Sequence, residues 1–356
     1  MASFDILDQS LDKAVPKTSR ALVAERLWDI HTTPFGFPSQ PSLNHFYDEH
    51  FSENGYYTRQ CRLFNQLPSA LSVDTHAHAA DVAGLLRKNL HRKELLEQIC
   101  TTLGPDEQAK HQKSINLVTR LVLMMKVGEV EQDPFGGSVE WESGTLREFV
   151  QSCFGQPSRL GHERMKLEKN FNGRNLERIA GIEIKWTDNL LDHLKLKSDD
   201  RVVLVFAHAA FLKAQKHSDL YPPGFVDETL RTLALLFPQD KKNTPAWFKK
   251  LDRASPSQLD CHLIKCGILG TEARQFENFP FWHDRLVMLK QVYNEARPQS
   301  IWQLWHDSRH PVQWYTVWTA VLVIILTITF GFISSIGTAI QVYIAWKQWG
   351  AEVSHT

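Results

Sequence analysis

The stretch that decides the fold is an apolar run in the C-terminal part of the chain, Val317-Trp318-Thr319-Ala320-Val321-Leu322-Val323-Ile324-Ile325-Leu326-Thr327-Ile328-Thr329-Phe330-Gly331-Phe332-Ile333. Residues 312–346, 35 in all, contain no Asp, Glu, Lys or Arg. A transmembrane helix needs about 20 apolar residues to cross a hydrocarbon core of roughly 30 Å. No proline or polar turn divides the run into two crossings. The sequence therefore predicts one transmembrane helix over 313–346, with a fully buried core helix as the alternative.

Aromatic residues stand at both ends of the predicted helix. They are Trp314, Tyr315 and Trp318 at one end and Tyr343 and Trp346 at the other. Rings that combine an apolar body with a polar N–H or O–H are favoured at the two membrane–water interfaces. We expect these five residues to mark the interfaces, and the lipid bilayer to be a partner of the chain.

Small residues recur along one face of the same helix. Thr327, Gly331, Ser335 and Ala339 are each four positions apart, so they lie on one side of a helix. Small side chains at this spacing allow two helices to approach closely in lipid. The pattern predicts a homo-oligomer formed through the transmembrane helix, although Gly and Ser are also tolerated in such helices without any packing role.

The topology has to be inferred from the chain ends, because only Arg309 and Lys347 flank the run closely. The first residues, from Met1 to Ile6, have neither the basic nor the apolar region of a signal peptide. Ten residues follow Trp346, and no Asn-x-Ser/Thr sequon occurs in the chain. We therefore expect a tail-anchored, single-pass membrane protein with a cytosolic N-terminal region. The sequence does not indicate which membrane holds it.

Charge and cysteine content exclude two other classes of protein. The chain of 356 residues has 40 Lys+Arg and 40 Asp+Glu, a formal net charge of zero. Nucleic-acid-binding proteins usually carry a basic excess, so no nucleic-acid partner is expected. Five cysteines, an odd number in a long chain, do not indicate a disulfide framework.

The rest of the chain indicates a mainly α-helical domain with a few short strands, with an α+β domain as the alternative. Residues 182–186 alternate in hydropathy, and 202–206 are continuously apolar, so both are predicted strands. Residues 225–237 are a predicted helix that ends before Pro238. The predicted organisation is an irregular segment 1–60, a cytosolic, mainly helical domain 61–296, a juxtamembrane segment 297–312, the transmembrane helix and a short tail 347–356.

One short motif suggests metal chemistry. In Asp74-Thr75-His76-Ala77-His78, two histidines two positions apart would lie on one face of a strand and could bind zinc, as in amidohydrolase barrels. That fold needs eight strand–helix units with further ligands at later strand ends, and only His208 is so placed. The alternative is a helix N-terminus, begun by Asp74 or Thr75, with two solvated histidines.

Other motifs of catalysis are weak or missing. Cys261, His262 and Cys266 supply soft ligands, but no second pair stands at zinc-ribbon spacing. The chain has no phosphate-binding loop, no dinucleotide glycine fingerprint and no Gly-x-Ser-x-Gly motif. We predict no cofactor, and the sequence assigns no catalytic residue.

Several segments resemble a family of uncharacterised single-span membrane proteins from filamentous fungi. They are Arg297–Arg309, Gln313–Val317 with Trp318, Gln341–Tyr343, Arg174–Leu176, Trp186–Leu190, Asp192–Leu194 and Pro222–Gly224. The resemblance covers roughly residues 140–345. It implies a membrane location and a lineage, and it implies no activity.

Two functions are compatible with these patterns. The first is a membrane-tethered interaction or regulatory module facing the cytosol, with a protein partner that the sequence does not identify. The alternative is a membrane-bound hydrolase, metal-dependent through His76 and His78. Acids and histidines gathered in one cleft would favour the enzyme, whereas a flat or groove-like apolar patch would favour the module.

Overall fold

A computed structural model describes most of the chain in two compact units, Met1–Glu295 and Ala296–Thr356. The residues described are 7–29, 41–65, 71–104, 108–128, 137–155, 160–161, 166–239, 244–255, 258–296 and 311–353. Side chains at 41–45, 311–314, 317 and 348–353 are not described. The chain is mainly helical with a small sheet and one long C-terminal helix, which confirms the predicted fold class.

Helices come first in the chain, strands in the middle, and helices again after the sheet. Eight α-helices of the described residues precede the sheet: α1 (Arg20–Trp28), α2 (Pro41–His50), α3 (Tyr56–Asn65), α4 (His76–Arg87), α5 (Arg92–Leu103), α6 (Gln108–Leu123), α7 (Leu146–Phe154) and α8 (Gly173–Arg178). The strands are β1 (Glu183–Thr187), β2 (Leu196–Lys197) and β3 (Val202–Phe206). The helices after the sheet are α9 (Ala209–Ala214), α10 (Phe225–Leu236), α11 (Thr244–Ala254), α12 (His283–Glu295) and α13 (Pro311–Val353).

Local hydrogen bonds explain where two of these helices begin. The Thr75 hydroxyl accepts the N–H of His78 at 3.2 Å and caps α4. At α7, the Thr145 hydroxyl accepts the N–H of Glu148, and the Glu148 carboxylate accepts the N–H of Thr145. This reciprocal capping box satisfies two N–H groups that would otherwise lack a partner at the helix start.

The sheet has the strand order β1-β3-β2. β1 and β3 are parallel, with Glu183 opposite Val202 and Thr187 opposite Phe206, whereas β2 is antiparallel to β3. All five residues of β3 are buried, as expected for the central strand of a covered sheet. Both predicted strands are present, the first shifted by one residue. Because β1 and β3 run in the same direction, their carboxyl ends lie side by side.

Residues 1–60 were predicted to be irregular. This prediction is wrong, because the described residues of this segment form helices. They contain α1 and α2, and α3 crosses the predicted boundary at residue 61. Four apolar residues of α1, Val23, Ala24, Leu27 and Trp28, are buried on one face. Pro41 begins α2, because proline fits the first turn of a helix, where no backbone N–H is required. Residues 30–40 of this segment lie outside the described residues.

One hydrophobic cluster joins the N-terminal helices, the sheet and the later helices. It runs from Leu7 near the start of the chain to Tyr293 in α12. At its centre, the ring of Trp28 packs edge-on against His50 and Phe211, and its indole N–H donates to the Leu121 carbonyl at 3.1 Å. The described residues of the segment 1–60 are therefore part of the same hydrophobic core as the helices and strands that follow.

The second unit contains α13, a helix of 43 residues that would extend about 64 Å at 1.5 Å per residue. One part of it, Trp318–Lys347, is long and apolar enough to cross a membrane, and none of that part is buried. This contradicts the alternative of a buried core helix. Helix continues to Val353, through most of the predicted tail 347–356, because no proline there ends it. The juxtamembrane segment lies outside the described residues up to residue 310.

Hydroxyl groups along α13 form hydrogen bonds within the helix. Each donates to the carbonyl oxygen four residues earlier, at 2.8–3.0 Å: Thr319, Thr327, Thr329, Ser335 and Thr338. In lipid, an unsatisfied polar group costs several kcal/mol. The hydrogen-bonding capacity of these hydroxyl groups is therefore satisfied within α13, as a membrane interior requires, and no second helix is needed for it.

Candidate functional site

A cleft of about 960 Å³ lies where β1 and β3 end. We call it the strand-end cleft; its wall comes from four stretches of chain, 46–59, 177–188, 207–208 and 251–260. Asp188 directly follows β1, and His208 stands two residues after β3. In sheets with parallel strands, ligands commonly bind outside the carboxyl ends. The position of the cleft is thus one at which ligand binding is frequent.

Asp188 and His208 form a hydrogen-bonded pair in this cleft. Oδ1 of Asp188 lies 2.7 Å from Nε2 of His208, and Arg59 donates to Oδ2 of Asp188 at 2.6 Å. Burial raises the pKa of Asp188, but the hydrogen bond from His208 and the charges of His208 and Arg59 outweigh it and lower the pKa to about 2. An ionised carboxylate only accepts hydrogen bonds, so Nε2 of His208 carries the hydrogen. A neutral His208 ring then has Nδ1 as its basic nitrogen.

Glu49 and His50 enter the cleft from the last turn of α2. The chain turns back sharply after them, and Gly55 packs against their backbone. A Cβ atom at Gly55 would overlap the carbonyl oxygens of both residues. The absence of a side chain at Gly55 therefore allows the chain to pack closely against the end of α2, which forms part of the wall of the cleft.

Glu49 is half-buried and has no hydrogen-bond partner for its carboxyl group in the described part of the chain. Burial raises its pKa to about 7, and the charges of Asp260, Asp252 and Asp188 act in the same direction. The charge of His208 opposes this shift. A carboxyl group with a pKa near 7 can give or take a proton at neutral pH.

His50 is 2% exposed, yet neither of its ring nitrogens has a hydrogen-bond partner among the described residues. The rings of Trp28, Phe51 and Tyr56 surround it, with centroids 5.0–5.5 Å away, and the ring of His208 lies 6.0 Å away. Burial lowers its pKa well below the usual range of histidine, so the ring is neutral. A buried ring with two unsatisfied nitrogens is costly unless a ligand or water satisfies them.

The cleft offers no side-chain nucleophile linked to His208. Within the described ranges, no Ser, Thr or Cys side chain forms a hydrogen bond with His208 or with the Glu49 carboxyl group. The Ser52 hydroxyl donates instead to the backbone carbonyl of Glu49 at 2.8 Å. The arrangement is therefore suited to proton transfer rather than to a covalent intermediate on the protein.

The structure does not bring His76 and His78 together as a metal site. Both lie in the first turn of α4, where residues two positions apart point in different directions. His76 is buried, and its Nδ1 lies 2.9 Å from the Tyr57 hydroxyl. Burial lowers its pKa to about 4. The helix N-terminus is therefore confirmed, but His76 is not solvated.

Asp260, Cys261 and His262 are the one group of three possible metal ligands within coordination distance of one another in the residues described. Their hydrogen bonds account for the arrangement without a metal. Asp260 accepts the N–H of Ala210 and the backbone N–H of His262, and its Oδ1 lies 2.8 Å from Nδ1 of His262. The thiol of Cys266, named with them in the sequence analysis, lies 3.2 Å from the His262 carbonyl oxygen.

Sequence reasoning identified only part of the strand-end cleft. His208 stood out as a histidine at a strand end, and Asp188 lies in a segment noted for its family resemblance. Glu49, His50 and Arg59 were missed. The adjacent acid and imidazole of Glu49-His50 could have signalled them, but that segment carries no strand or Gly-rich loop to mark it.

The sequence matches no protein-family model and no curated protein, and no solved structure matches the chain. The resemblance to a fungal membrane-protein family therefore stays a prediction.

Proposed function

We propose that the protein is a membrane-anchored hydrolase that works by general acid–base catalysis in the strand-end cleft. The observation that carries the proposal is the geometry of one cleft, in which Asp188 is hydrogen-bonded to His208 and a second, half-buried carboxyl group, that of Glu49, has no partner among the described residues. The pKa of Glu49 is about 7 and that of Asp188 is about 2. Carboxyl groups separated in this way take different roles at one pH, one as an acid and one as a permanent charge.

Each residue then has a defined role. His208 acts as the general base through Nδ1, because Asp188 holds Nε2–H and stabilises the imidazolium that forms. Protonated Glu49 donates a proton to the leaving group. Water is the nucleophile, since no side-chain nucleophile is linked to His208 among the described residues. The reaction class is hydrolysis of a polar bond: water adds to the electrophilic atom of the substrate as its proton passes to Nδ1 of His208, and the bond to the leaving group breaks as that group takes the proton of Glu49.

The structure gives this function more support than the interaction module. Acids and histidines gather in one cleft, which is the arrangement expected of an enzyme. An interaction module should present a contiguous apolar surface. In the described part of 1–295, the large hydrophobic residues that are exposed are only Leu160, Ile268 and Met288.

The hydrolase proposal is tested with the full chain in lipid nanodiscs and a panel of nitrophenyl esters, phosphates and glycosides. We expect hydrolysis of at least one class, and a loss of about 100-fold or more in kcat/KM for His208→Asn and for Glu49→Gln. His217→Asn, at an exposed histidine outside the cleft, should keep the wild-type rate. Hydrolysis of no class, or equal rates in all variants, would contradict the proposal.

We also propose that the unit 1–295 faces the cytosol and that α13 crosses the membrane. All five cysteines are unpaired, which fits a reducing compartment. Protease treatment of intact microsomes should digest the N-terminal unit. Its protection from protease until detergent is added would place it in the lumen and refute this orientation.

A further inference from the structure

We infer that the strand-end cleft binds an extended peptide, which adds to the open edge of β1 as a further strand and brings a peptide bond to His208 and Glu49. This inference rests on the hydrolase proposal for the same site and names the class of substrate. It follows from the position of β1 in the sheet, from the backbone groups that this strand leaves unpaired and from the path of the cleft along them.

β1 lies at one edge of the sheet. In the order β1-β3-β2 it pairs with β3 on one side, and no strand of the described residues pairs with its other side. The wall of the cleft includes four consecutive residues of β1, Glu183, Ile184, Lys185 and Trp186. Neighbouring side chains of a strand point to opposite faces of the sheet. A cleft that all four residues line therefore runs along the edge of the strand.

The hydrogen bonds to β3 show which backbone groups face this open edge. The N–H of Glu183 donates to the Arg201 carbonyl at 2.8 Å, and the Thr187 carbonyl accepts a backbone N–H from the end of β3 at 3.1 Å. In a parallel pair, alternate residues of a strand bond to the same neighbour. The intervening residues Ile184 and Trp186 therefore direct their N–H and C=O groups away from β3.

These four groups have no hydrogen-bond partner among the described residues. The preceding N–H of the same row, that of Ile182, donates to the Leu176 carbonyl in α8 at 3.0 Å, so α8 covers the edge only up to the start of β1. Ile184 is buried, and buried backbone groups are nearly always paired with protein, water or a ligand. The open row is thus a short binding edge, and Asp188 follows it directly along the chain.

A peptide is the ligand that matches this row. Ile184 and Trp186 present donors and acceptors at the repeat of a β-strand, about 3.3 Å per residue, and an extended peptide presents complementary groups at the same repeat. Addition of a strand to an open sheet edge is a recurring mode of peptide recognition. The stretches 46–59 and 251–260 line the same cleft, so the added strand lies between them and β1.

Trp186 indicates one side chain of the peptide. Its half-buried ring lines the cleft and stacks on Phe237, with centroids 5.6 Å apart. Side chains directly opposite each other on neighbouring strands lie on the same face of the sheet. The residue paired with Trp186 therefore places its side chain beside this ring, which favours an aromatic or aliphatic residue there.

The chemistry of the hydrolase proposal applies to the peptide bond beyond this position. Water attacks the carbonyl carbon while its proton passes to Nδ1 of His208, and the C–N bond breaks as the leaving amine takes the proton of Glu49. Glu49 is thus protonated until the bond breaks. Transfer of the proton from His208 to Glu49 through solvent then restores both residues.

Binding is measured by titration calorimetry with His208→Asn, and independently with Glu49→Gln, so that the peptide stays intact. The protein is the full chain in nanodiscs. The probe is the peptide Gly-Thr-Lys-Phe-Thr-Lys-Gly with blocked ends, and the matched control carries N-methyl groups on its five central residues. The control keeps every side chain but loses the N–H donors, so we expect it to bind at least about tenfold more weakly. Trp186→Ala should weaken binding of the probe but not of the same peptide with glycine in place of phenylalanine.

Hydrogen exchange provides a second readout at the backbone groups themselves. The amide N–H groups of Ile184 and Trp186 have no partner in the described part of the chain, so the bound probe should slow their exchange by about tenfold or more. The N–H of Lys197, in β2 at the opposite edge of the sheet, should exchange at the same rate with and without the probe.

The outcomes separate this inference from the hydrolase proposal. Equal affinity of the probe and its N-methyl control, or unchanged exchange at Ile184 and Trp186, would overturn the pairing with β1, even if the wild type hydrolyses nitrophenyl esters. Pairing without hydrolysis of any compound by the wild type would support the peptide site and contradict the enzyme. Hydrolysis of esters while the bound peptide stays intact would overturn the peptide as substrate. If neither peptide binds, the inference is wrong.

Discussion

Nδ1 of His193 accepts the backbone N–H of Phe206, the last residue of β3, at 3.2 Å. The other ring nitrogen, Nε2, lies 2.7 Å from the Thr232 hydroxyl in α10. Because Nδ1 accepts a hydrogen bond, Nε2 carries the hydrogen and donates it to Thr232. The ring thus connects the central strand to α10 at a point two residues before His208.

Removal of this ring should destabilise the protein. His193→Leu leaves the buried N–H of Phe206 without its partner, which costs about 1–3 kcal/mol. Urea denaturation followed by tryptophan fluorescence measures the loss. His217→Leu, at an exposed position, is the matched control and should change the free energy of unfolding by less than about 0.5 kcal/mol. Equal stability of the two variants would show that the connection is not required.

Acid should destabilise the protein through its buried histidines. The pKa of His76 is lowered by burial from 6.5 to about 4, so the unfolded chain takes up the proton first. The stability that neutral His76 maintains above pH 6.5 is therefore lost as the pH falls from 6.5 to 4, by up to about 1.4 kcal/mol per pH unit. His76→Asn should reduce the slope of unfolding free energy against pH by about that amount. Parallel slopes for the two proteins would contradict the pKa shift.

Glu49 should have the opposite effect. Its folded-state pKa of about 7 lies above the usual 4.5, so its contribution to stability is full below pH 4.5 and is lost as the pH rises through 7. Glu49→Gln is neutral at every pH and should be more stable than the wild type at pH 8, by about 1–2 kcal/mol after allowance for partial exposure. The two proteins should unfold with equal free energy at pH 4. Glu53→Gln, at an exposed carboxyl group, should not gain stability over the wild type between pH 4 and pH 8.

Two Gly→Ala substitutions should have opposite effects. Gly55→Ala places a methyl group against the carbonyl oxygens of Glu49 and His50, so the end of α2 must move. We expect a loss of about 1–3 kcal/mol in the free energy of unfolding and a lower kcat/KM for the hydrolysis proposed for the cleft. Gly84→Ala, inside α4 with no atom within 4 Å of the new methyl group, should stabilise the protein by about 0.5–1 kcal/mol. Thermal unfolding of the two variants measures the difference.

The small-residue face of α13 provides a test of self-association. Gly331→Ile adds bulk to the face that carries Thr327, Ser335 and Ala339, and should reduce the yield of crosslinked dimer in membranes. Gly337→Ile adds the same bulk on another side of the helix and should leave the yield unchanged. A similar yield for both variants, with or without a reduction, would show that this face has no specific role.

The sequence predicted those elements that local patterns determine. Val202–Phe206 is a continuous apolar run with β-branched residues, and its strand was predicted to the residue. The long apolar run of α13 was equally clear. The helices before residue 61 were missed because Pro34, Pro38 and Pro41 favour an irregular segment, although Pro41 stands where a helix can begin.

The strand-end cleft could be predicted only in part, because its residues are distant in sequence. His208 follows a recognisable strand, but nothing near Glu49 indicates that α2 will bring it to the same place. The pairing of Asp188 with Arg59 joins positions 129 residues apart. The His-x-His motif forms no metal site because His76 begins a helix, where two neighbouring histidines diverge instead of converging on one ion; the helix N-terminus begun by Asp74 or Thr75 was the alternative.

The division of the cleft among four stretches of chain has a consequence for shortened forms of this protein. A product that started at residue 61 would keep the sheet, Asp188, His208 and the complete membrane helix. It would lack Glu49, His50 and Arg59, and the apolar surface that α1 and α2 cover would be open to water. With α13 as the proposed anchor, such a form would keep the membrane attachment of the whole chain but not a complete cleft, so localisation by itself is no measure of an intact protein.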